Sequence, residues 1–422
     1  MPQSHSTSRK NRVPVPQRMV PSLSLGAYTG ALCRSSHASV IWPSFGHFQD
    51  GSSSCSYAEE RLRSLRSPAL LLPSRHPALD GARGFAVMAM VIGHTLDALL
   101  APATRGHPWV QKYWEFRGIT APLFLLVSGW AVVAALDARR PGAAKATYGR
   151  RFQRALLLLA LGYLLHWPGW ETVIAMGWGD TLLVHVFAFD ALQCIGLSLL
   201  LGATLLALIP GTWGRAGVLA ALAVGIPLAS TAAWEVSPLL PTVLRQAVGG
   251  EGSHFPLFPW AGYFFAGALA SSCLRLLRSG WPQGLALMVL GLGLLGGTQL
   301  FTADWSPTSA WLVALRVGQG FLVLAVMNFA PLWLSGLLAP LGRVSLWVYV
   351  IHLPVVYGWA GTPGLSQRVG PQWGLGLALL TGVGLLAASF LLARLGQWLR
   401  GLTLPWRVGS TTLGVGPGAQ RV

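Results

Sequence analysis

Long apolar runs dominate the chain from Leu79 onward. Each run is close to the length of about 20 residues that a helix needs to cross a bilayer. Short stretches rich in Pro, Gly, Trp and charged residues separate the runs. The pattern therefore predicts an all-α fold, a polytopic membrane bundle of about ten transmembrane helices. The predicted spans are residues 79–100, 119–137, 151–168, 190–209, 215–233, 256–275, 282–301, 308–330, 334–358 and 373–395. The stretch from Trp170 to Val186 is a candidate re-entrant or interfacial segment.

Residues 1–75 lack this pattern. They are rich in Ser, Pro and Arg and have no sustained apolar period, a composition typical of disordered segments. We therefore predict three regions: a disordered basic tail over 1–75, an integral-membrane domain over 76–400, and a short cytoplasmic tail over 401–422.

The composition excludes a soluble protein of this size. Charged residues make up 10% of the 422 residues and hydrophobic residues 53%, whereas soluble domains carry roughly 25% charged residues. The formal net charge is +17, from 30 Lys and Arg against 13 Asp and Glu. A nucleic-acid-binding protein would gather such charge into basic patches on a polar background. We therefore predict that the chain is surrounded by membrane lipid and does not bind nucleic acid.

The positive charges predict the orientation. The loop after the second predicted span carries Arg139, Arg140, Lys145, Arg150, Arg151 and Arg154. Short loops rich in Lys and Arg stay in the cytoplasm. With this loop inside, both termini are cytoplasmic and most acidic residues fall on the outer side. The prediction is a multi-pass protein of the plasma (inner) membrane.

Ionisable residues inside a span are functional candidates by default, and the first span has a stripe of them. Arg83 and His94 are 11 positions apart, about three turns, so they share a helix face about 16 Å apart in depth. Asp80 can pair with Arg83 at i,i+3, and Arg83 can contact phosphate or carbonyl oxygens of a donor. His94 can act as a base or as a nucleophile that carries an acyl group, with Asp97 orienting its imidazole. The alternative is that Arg83 snorkels and His94 is a packing residue.

Two later spans hold further candidates. Ser345 and His352 are seven positions apart, so they share a face of a straight helix, with Tyr349 nearby on the helix surface. His352 is a secondary catalytic candidate, or else stabilises helix association. Arg316 lies deep in the eighth span and either contacts donor or substrate or forms a structural salt bridge.

We predict no metal and no tightly bound cofactor. Of the four cysteines, Cys33 and Cys55 lie in the tail and Cys194 and Cys273 in predicted helices. They form no disulfide framework or metal-ligand spacing. Four histidines at predicted span ends or outer loops either line an outer cleft or are solvated surface groups: His107, His166, His185 and His254.

The segment Leu79-Asp80-Gly81-Ala82-Arg83-Gly84, followed by His94, resembles the integral-membrane acyltransferase superfamily, whose first helix opens with Asp-x-x-Arg-Gly and carries a later histidine. Further segments resemble the branch containing the heparan-alpha-glucosaminide N-acetyltransferase catalytic domain. They are residues 121–124 with Ser128-Gly129, 190–196, 255–260 and 342–354. The opening and the ending at His352 to Pro354 are also similar to the acyltransferase 3 branch of polysaccharide O-acyltransferases.

This resemblance implies transfer of an acyl group, most simply acetyl, from cytosolic acetyl-CoA or another acyl-CoA as co-substrate. The implied acceptor is a sugar hydroxyl or amine of a glycan at the outer face. The implied roles are His94 as base or acyl carrier, Arg83 as a donor contact and Asp80 as its partner.

The competing function is a secondary transporter or flippase, with His94, Arg316 and Asp190 as a proton relay or substrate path. Inverted repeats would favour a transporter, but the two halves show no convincing self-similarity. The sequence makes no prediction of an oligomeric state.

Overall fold

The computed structural model describes residues 76–137, 144–209, 211–249, 253–277, 280–300 and 305–403. The predicted tail over 1–75 and residues 404–422 lie outside the described residues. All described residues belong to one unit, Leu71–Val422.

The described residues form helices joined by short loops. Twelve of these helices carry the argument and are labelled here. They are α1 (Pro77–Leu99), α2 (Pro108–Arg117), α3 (Thr120–Asp137), α4 (Ala144–Leu165), α5 (Ala191–Leu208), α6 (Thr212–Leu228), α7 (Leu257–Leu274), α8 (Trp281–Gln299), α9 (Ala310–Phe329), α10 (Leu332–Arg343), α11 (Ser345–Tyr357) and α12 (Leu375–Thr403). The shorter helices are Pro102–Arg105, Trp170–Met176, Asp180–Val186, Ser230–Val236, Thr242–Val248 and Leu365–Arg368, with a 3₁₀ turn at Ser237–Leu239.

The predicted all-α fold is confirmed. Extended pairing within the described ranges is limited to two isolated bridges, Leu100 with Trp373 and Trp359 with Thr362. Seven helices are long and apolar enough to cross a membrane, and the number rises to nine if each of two bent helix pairs is one span. The predicted count of ten is therefore not confirmed. The helix α4, predicted as the third span, is not among the nine; Arg150, Arg151 and Arg154 interrupt its apolar run.

The predicted single span over 334–358 is bent. Its two halves, Trp333–Arg343 and Ser345–Tyr357, meet at an angle of 64°. Val344 lies at the break with φ −107° and ψ 8°, and its N–H bonds back to the carbonyl oxygens of Leu341 and Gly342. Face relations worked out for a straight helix therefore hold only within α11.

Glycines allow the helices that carry the candidate residues to approach closely. A methyl group on Gly84 of α1 would collide with the carbonyl oxygen of Leu338 in α10, and one on Gly342 of α10 would collide with that of Asp80 in α1. Such reciprocal contacts of small residues are the usual way that membrane helices pack without side chains between them. A second reciprocal pair, Gly129 and Gly267, joins α3 to α7. The backbone of α1 is thus held directly against that of α10, just before the bend.

The stretch predicted to be re-entrant or interfacial contains two helices of seven residues each, Trp170–Met176 and Asp180–Val186. Seven residues rise only about 10 Å, which is too short to cross a bilayer. Trp170 and Trp178 in this stretch are exposed, as expected for aromatic residues at a membrane interface.

Candidate active site

A cavity of about 900 Å³ lies between α1, α3, α4, α5 and α11. Arg83 and His94 both line it, so it extends along about 16 Å of α1. Its polar and ionisable lining residues are Arg83, His94, Asp97, Arg117, Thr120, Ser128, Arg150, Arg151, Arg154, His166, Asp190, His254, Ser345, Tyr349 and Tyr357.

One end of the cavity is basic. Arg83 lies there and forms the ion pair with Asp80 that the spacing predicts, with 3.5 Å between the guanidinium and carboxylate atoms. Arg150, Arg151 and Arg154 from the first half of α4 line the same cavity, and Arg151 also donates to the carbonyl oxygen of Val132. We refer to Arg83, Arg150, Arg151 and Arg154 as the arginine end. Clustered guanidinium groups suit phosphate and carbonyl oxygens.

Toward the other end of α1, His94 faces His352. Nδ1 of His94 and Nε2 of His352 are 3.3 Å apart, and Nδ1 of His352 lies 2.8 Å from the Val348 carbonyl oxygen. A carbonyl oxygen only accepts, so Nδ1 of His352 carries the hydrogen and Nε2 of neutral His352 accepts. Nδ1 of His94 then donates, which leaves Nε2 of His94 with a free lone pair. Because His352 is fully buried, this partner fixes the orientation of the His94 ring.

Aromatic rings surround the two histidines. The Tyr357 ring lies 5.6 Å from that of His94, and the Tyr349 ring lies 5.8 Å from that of His352, both edge to face. The Tyr349 hydroxyl donates to Oδ2 of Asp190 across 3.2 Å. The ring nitrogens are therefore held within a packed aromatic wall of the cavity.

Asp97 does not orient His94 as predicted. Its carboxylate forms ion pairs with Arg105 at 3.7 Å and with Arg117 at 3.6 Å, and the imidazole Nδ1 that it would contact points to His352 instead. Arg117 also donates to the Gly93 carbonyl oxygen across 2.8 Å. Asp97 thus ties the end of α1 to the neighbouring short helices, although it still lines the cavity.

Arg316 does not line the cavity. Its Nη1 donates to the Glu115 carbonyl oxygen and to the Gln319 side chain, each across 2.9 Å. Gly118 lets the guanidinium approach, because a methyl group there would lie 2.5 Å from Nη2. This geometry fastens the end of α2 to α9, and Arg316 is not among the residues that line the cavity.

Sequence reasoning missed several lining residues. Arg150, Arg151 and Arg154 indicate the orientation in the sequence but are not among the predicted site residues, although their spacing puts at least Arg150 and Arg154 on one helix face. Arg117 and Tyr357 had no sequence signal at all, since both reach the cavity through tertiary contacts. Of the four histidines considered for an outer cleft, His166 and His254 line the cavity.

Within the described residues, no group of three or more His, Cys, Asp or Glu side chains has the arrangement of a metal site. Of the two cysteines there, Cys194 is buried and Cys273 is exposed.

Comparison with known families identifies the chain. The model of the acyltransferase domain, acyltransferase 3, matches residues 76–394, which is well over half of the chain. A comparison with curated proteins found no match. The match includes α1 and α11 and therefore both histidines, and it does not confirm the narrower heparan-alpha-glucosaminide N-acetyltransferase branch. The chain belongs to the acyltransferase 3 family and is a multi-pass integral membrane acyltransferase.

Proposed function

We propose that this protein takes an acyl group, most simply acetyl, from cytosolic acyl-CoA and transfers it to a hydroxyl or amine of a sugar at the extracytoplasmic face of the plasma membrane. In this proposal the arginine end faces the cytoplasm and the His94 end faces outward. His94 is the base or the acyl carrier.

One observation carries the proposal: a single cavity is lined at one end by four arginines and, about 16 Å further along α1, by His94, whose Nδ1 faces the buried His352. A donor that bears phosphates and an acceptor on the other side of the membrane need such a joined path. Arg83, Arg150, Arg151 and Arg154 would hold the phosphates of the donor, where charge-assisted hydrogen bonds are stronger than neutral ones. The largely apolar walls between the two ends suit the uncharged part of the donor.

At the other end the chemistry needs a proton acceptor. As the acceptor oxygen or nitrogen bonds to the acyl carbon, Nε2 of His94 takes its proton, the carbon–sulfur bond breaks, and the thiol of CoA leaves with one proton. The hydrogen bond from Nδ1 of His94 to His352 stabilises the imidazolium that forms. In the carrier variant, Nε2 attacks the acyl carbon first, the carbon–sulfur bond breaks and the CoA thiolate leaves. The acceptor then attacks the acyl carbon on the ring, the nitrogen–carbon bond breaks, and the proton that the acceptor loses ends on the CoA thiolate.

The test is acetyl transfer from radiolabelled acetyl-CoA in membranes that contain His94→Ala protein. We expect a loss of about 10²- to 10⁴-fold, the usual contribution of a general base. The matched control is His185→Ala, because His185 is an exposed histidine outside the cavity. Activity equal to wild type in a stably inserted His94→Ala protein would refute the proposal.

Two further outcomes separate the alternatives. Radiolabel attached to His94 in the absence of acceptor identifies the carrier variant. Accumulation of an unmodified substrate in sealed vesicles, without transfer of the label to any acceptor, identifies a transporter or flippase instead of an acyltransferase.

A further inference from the structure

A second polar group on the cavity wall stands next to the histidine pair. Asp190 precedes α5 and His166 follows α4, and both line the cavity with His94. Oδ2 of Asp190 and Nε2 of His166 are 3.9 Å apart, and the side chains are 20% and 24% exposed. They are therefore open to a molecule in the cavity. The mechanism above uses neither side chain.

Both facing atoms accept hydrogen bonds when the His166 ring is neutral. Nδ1 of His166 lies 2.9 Å from the Gly162 carbonyl oxygen, so it carries the hydrogen and the neutral ring presents a lone pair at Nε2. Oδ1 of Asp190 accepts from the Ala191 N–H across 2.7 Å, and Oδ2 accepts from the Tyr349 hydroxyl. A carboxylate has about four acceptor sites, so Oδ2 keeps a free one. At 3.9 Å the two atoms are too far apart to hydrogen-bond to each other, so both stay open to donors from a molecule in the cavity.

We propose that Asp190 and His166 form the acceptor subsite and bind two hydroxyls on adjacent carbon atoms of a sugar ring, each hydroxyl donating to one of the two atoms. The proposal rests on the proposed function and names the class of acceptor: a molecule with vicinal hydroxyls, as distinct from a simple alcohol or amine. Two facing atoms that accept hydrogen bonds need two hydrogen-bond donors from the bound molecule. A vicinal diol supplies two such donors on adjacent carbon atoms.

The surrounding wall fits a sugar ring. Phe255 lines the cavity beside this subsite and is held there by a hydrogen bond from its N–H to the Phe189 carbonyl oxygen across 3.3 Å. An aromatic side chain next to a few directed polar groups is the usual composition of a small-molecule site. The Tyr349 hydroxyl fixes Asp190, and the Tyr349 ring contacts His352, so the subsite and the His94 pair belong to one connected wall.

A binding experiment tests this subsite without relying on turnover. Diethyl pyrocarbonate modifies neutral imidazole, so we expect purified protein to be labelled at His166, as detected by mass spectrometry. Methyl glycosides of glucose, galactose or mannose should protect His166, whereas cyclohexylmethanol, which has a ring but only one hydroxyl, should not. His185 is the internal control, because its Nδ1 faces the Thr181 carbonyl oxygen in the same i,i−4 arrangement but lies outside the cavity. An unreactive His166, or no protection by any of the three glycosides, overturns the subsite.

A kinetic experiment uses two matched pairs of variants. Asp190→Asn keeps a helix-capping side chain, and His166→Asn keeps a donor near the Nδ1 position while removing Nε2. Each should raise the KM for the protecting glycoside about tenfold, the loss of one hydrogen bond to a charged or well-placed group, with the KM for acetyl-CoA unchanged. Asp180→Asn and His185→Asn should match wild type. An unchanged glycoside KM, or an equal rise for acetyl-CoA, contradicts the proposal.

The two proposals fail in different ways. A wild-type protein that transfers no acetyl group refutes the proposed function, while protection of His166 still decides the subsite. Acetyl transfer to a sugar without sugar protection of His166 leaves the proposed function standing and overturns the subsite.

Discussion

Replacing His352 with phenylalanine tests whether His94 is oriented as its hydrogen bonds imply. Phenylalanine keeps a ring of similar size in the buried position of His352 but removes the Nε2 atom that accepts from Nδ1 of His94, 3.3 Å away. The acylation chemistry proposed above needs the His94 tautomer with the hydrogen on Nδ1, since only that tautomer leaves Nε2 free. In His352→Phe, that hydrogen faces an apolar ring.

The size of the effect follows from this lost hydrogen bond. A buried donor without a partner costs about 1–3 kcal/mol, and His94 avoids the cost by moving the hydrogen to Nε2. The active tautomer therefore becomes less populated by about 5- to 150-fold, since 1.4 kcal/mol corresponds to a factor of ten. We expect kcat to fall by this factor while the KM for acetyl-CoA stays within about twofold, because the arginine end is untouched.

The assay is steady-state acetyl transfer in detergent-solubilised protein, with His352→Gln as the rescue variant. The Gln side-chain oxygen can reach the position of the imidazole Nε2 and accept from His94, so this variant should recover most of the activity. Equal loss in His352→Gln and His352→Phe would refute positioning through the hydrogen bond. Wild-type activity in His352→Phe would show that His352 only packs.

Three further predictions concern other parts of the structure. Gly84→Ala should lower the free energy of unfolding by about 1–3 kcal/mol, because the added methyl group overpacks against the α10 backbone. Gly296→Ala should leave it unchanged, because no atom lies within 4 Å of the added methyl group. Thermal unfolding in detergent measures both variants. Arg154→Gln should raise the KM for acetyl-CoA about tenfold, because a charge-assisted contact is lost, and should not change the KM for the acceptor. Arg215→Gln is the kinetic control, because Arg215 lies outside the cavity. Arg316→Met should lower the melting temperature and leave the KM for acetyl-CoA unchanged; a selective rise in that KM would restore Arg316 as a donor contact.

The parts of the site that lie on one helix were predictable from the sequence. Asp80, Arg83 and His94 are all on α1, and the regular rotation of a helix fixes their relative positions whatever the rest of the fold does. The Asp80–Arg83 ion pair and the shared cavity face of Arg83 and His94 are present for this reason. The all-α fold followed equally directly, because a bilayer leaves a spanning backbone few other ways to satisfy its polar groups.

The contacts between helices were not predictable in the same way. His94 and His352 are 258 positions apart, and no periodicity in a single sequence relates them. Asp97 is the natural neighbour of His94 along the helix, but a carboxylate within reach of Arg105 and Arg117 pairs with them instead. Arg316 looked functional because a charge in a span needs a partner, and its partners are a backbone carbonyl and an amide from the end of α2 and its own helix.

The bend at Val344 and the glycine contacts explain how two histidines from distant segments come to one place. Gly84 and Gly342 hold the α1 and α10 backbones in contact, between about half a turn and about one and a half turns of helix before the point where the chain turns by 64° into α11. Because that contact leaves no side chain between the helices, the start of α11 has a fixed position relative to α1. His352, two turns along α11, then faces His94, almost three turns beyond Gly84 on α1. The separation of the two rings is thus set by backbone contacts and one bend, and it does not depend on a loop, which is the rigid support that a positioned base needs.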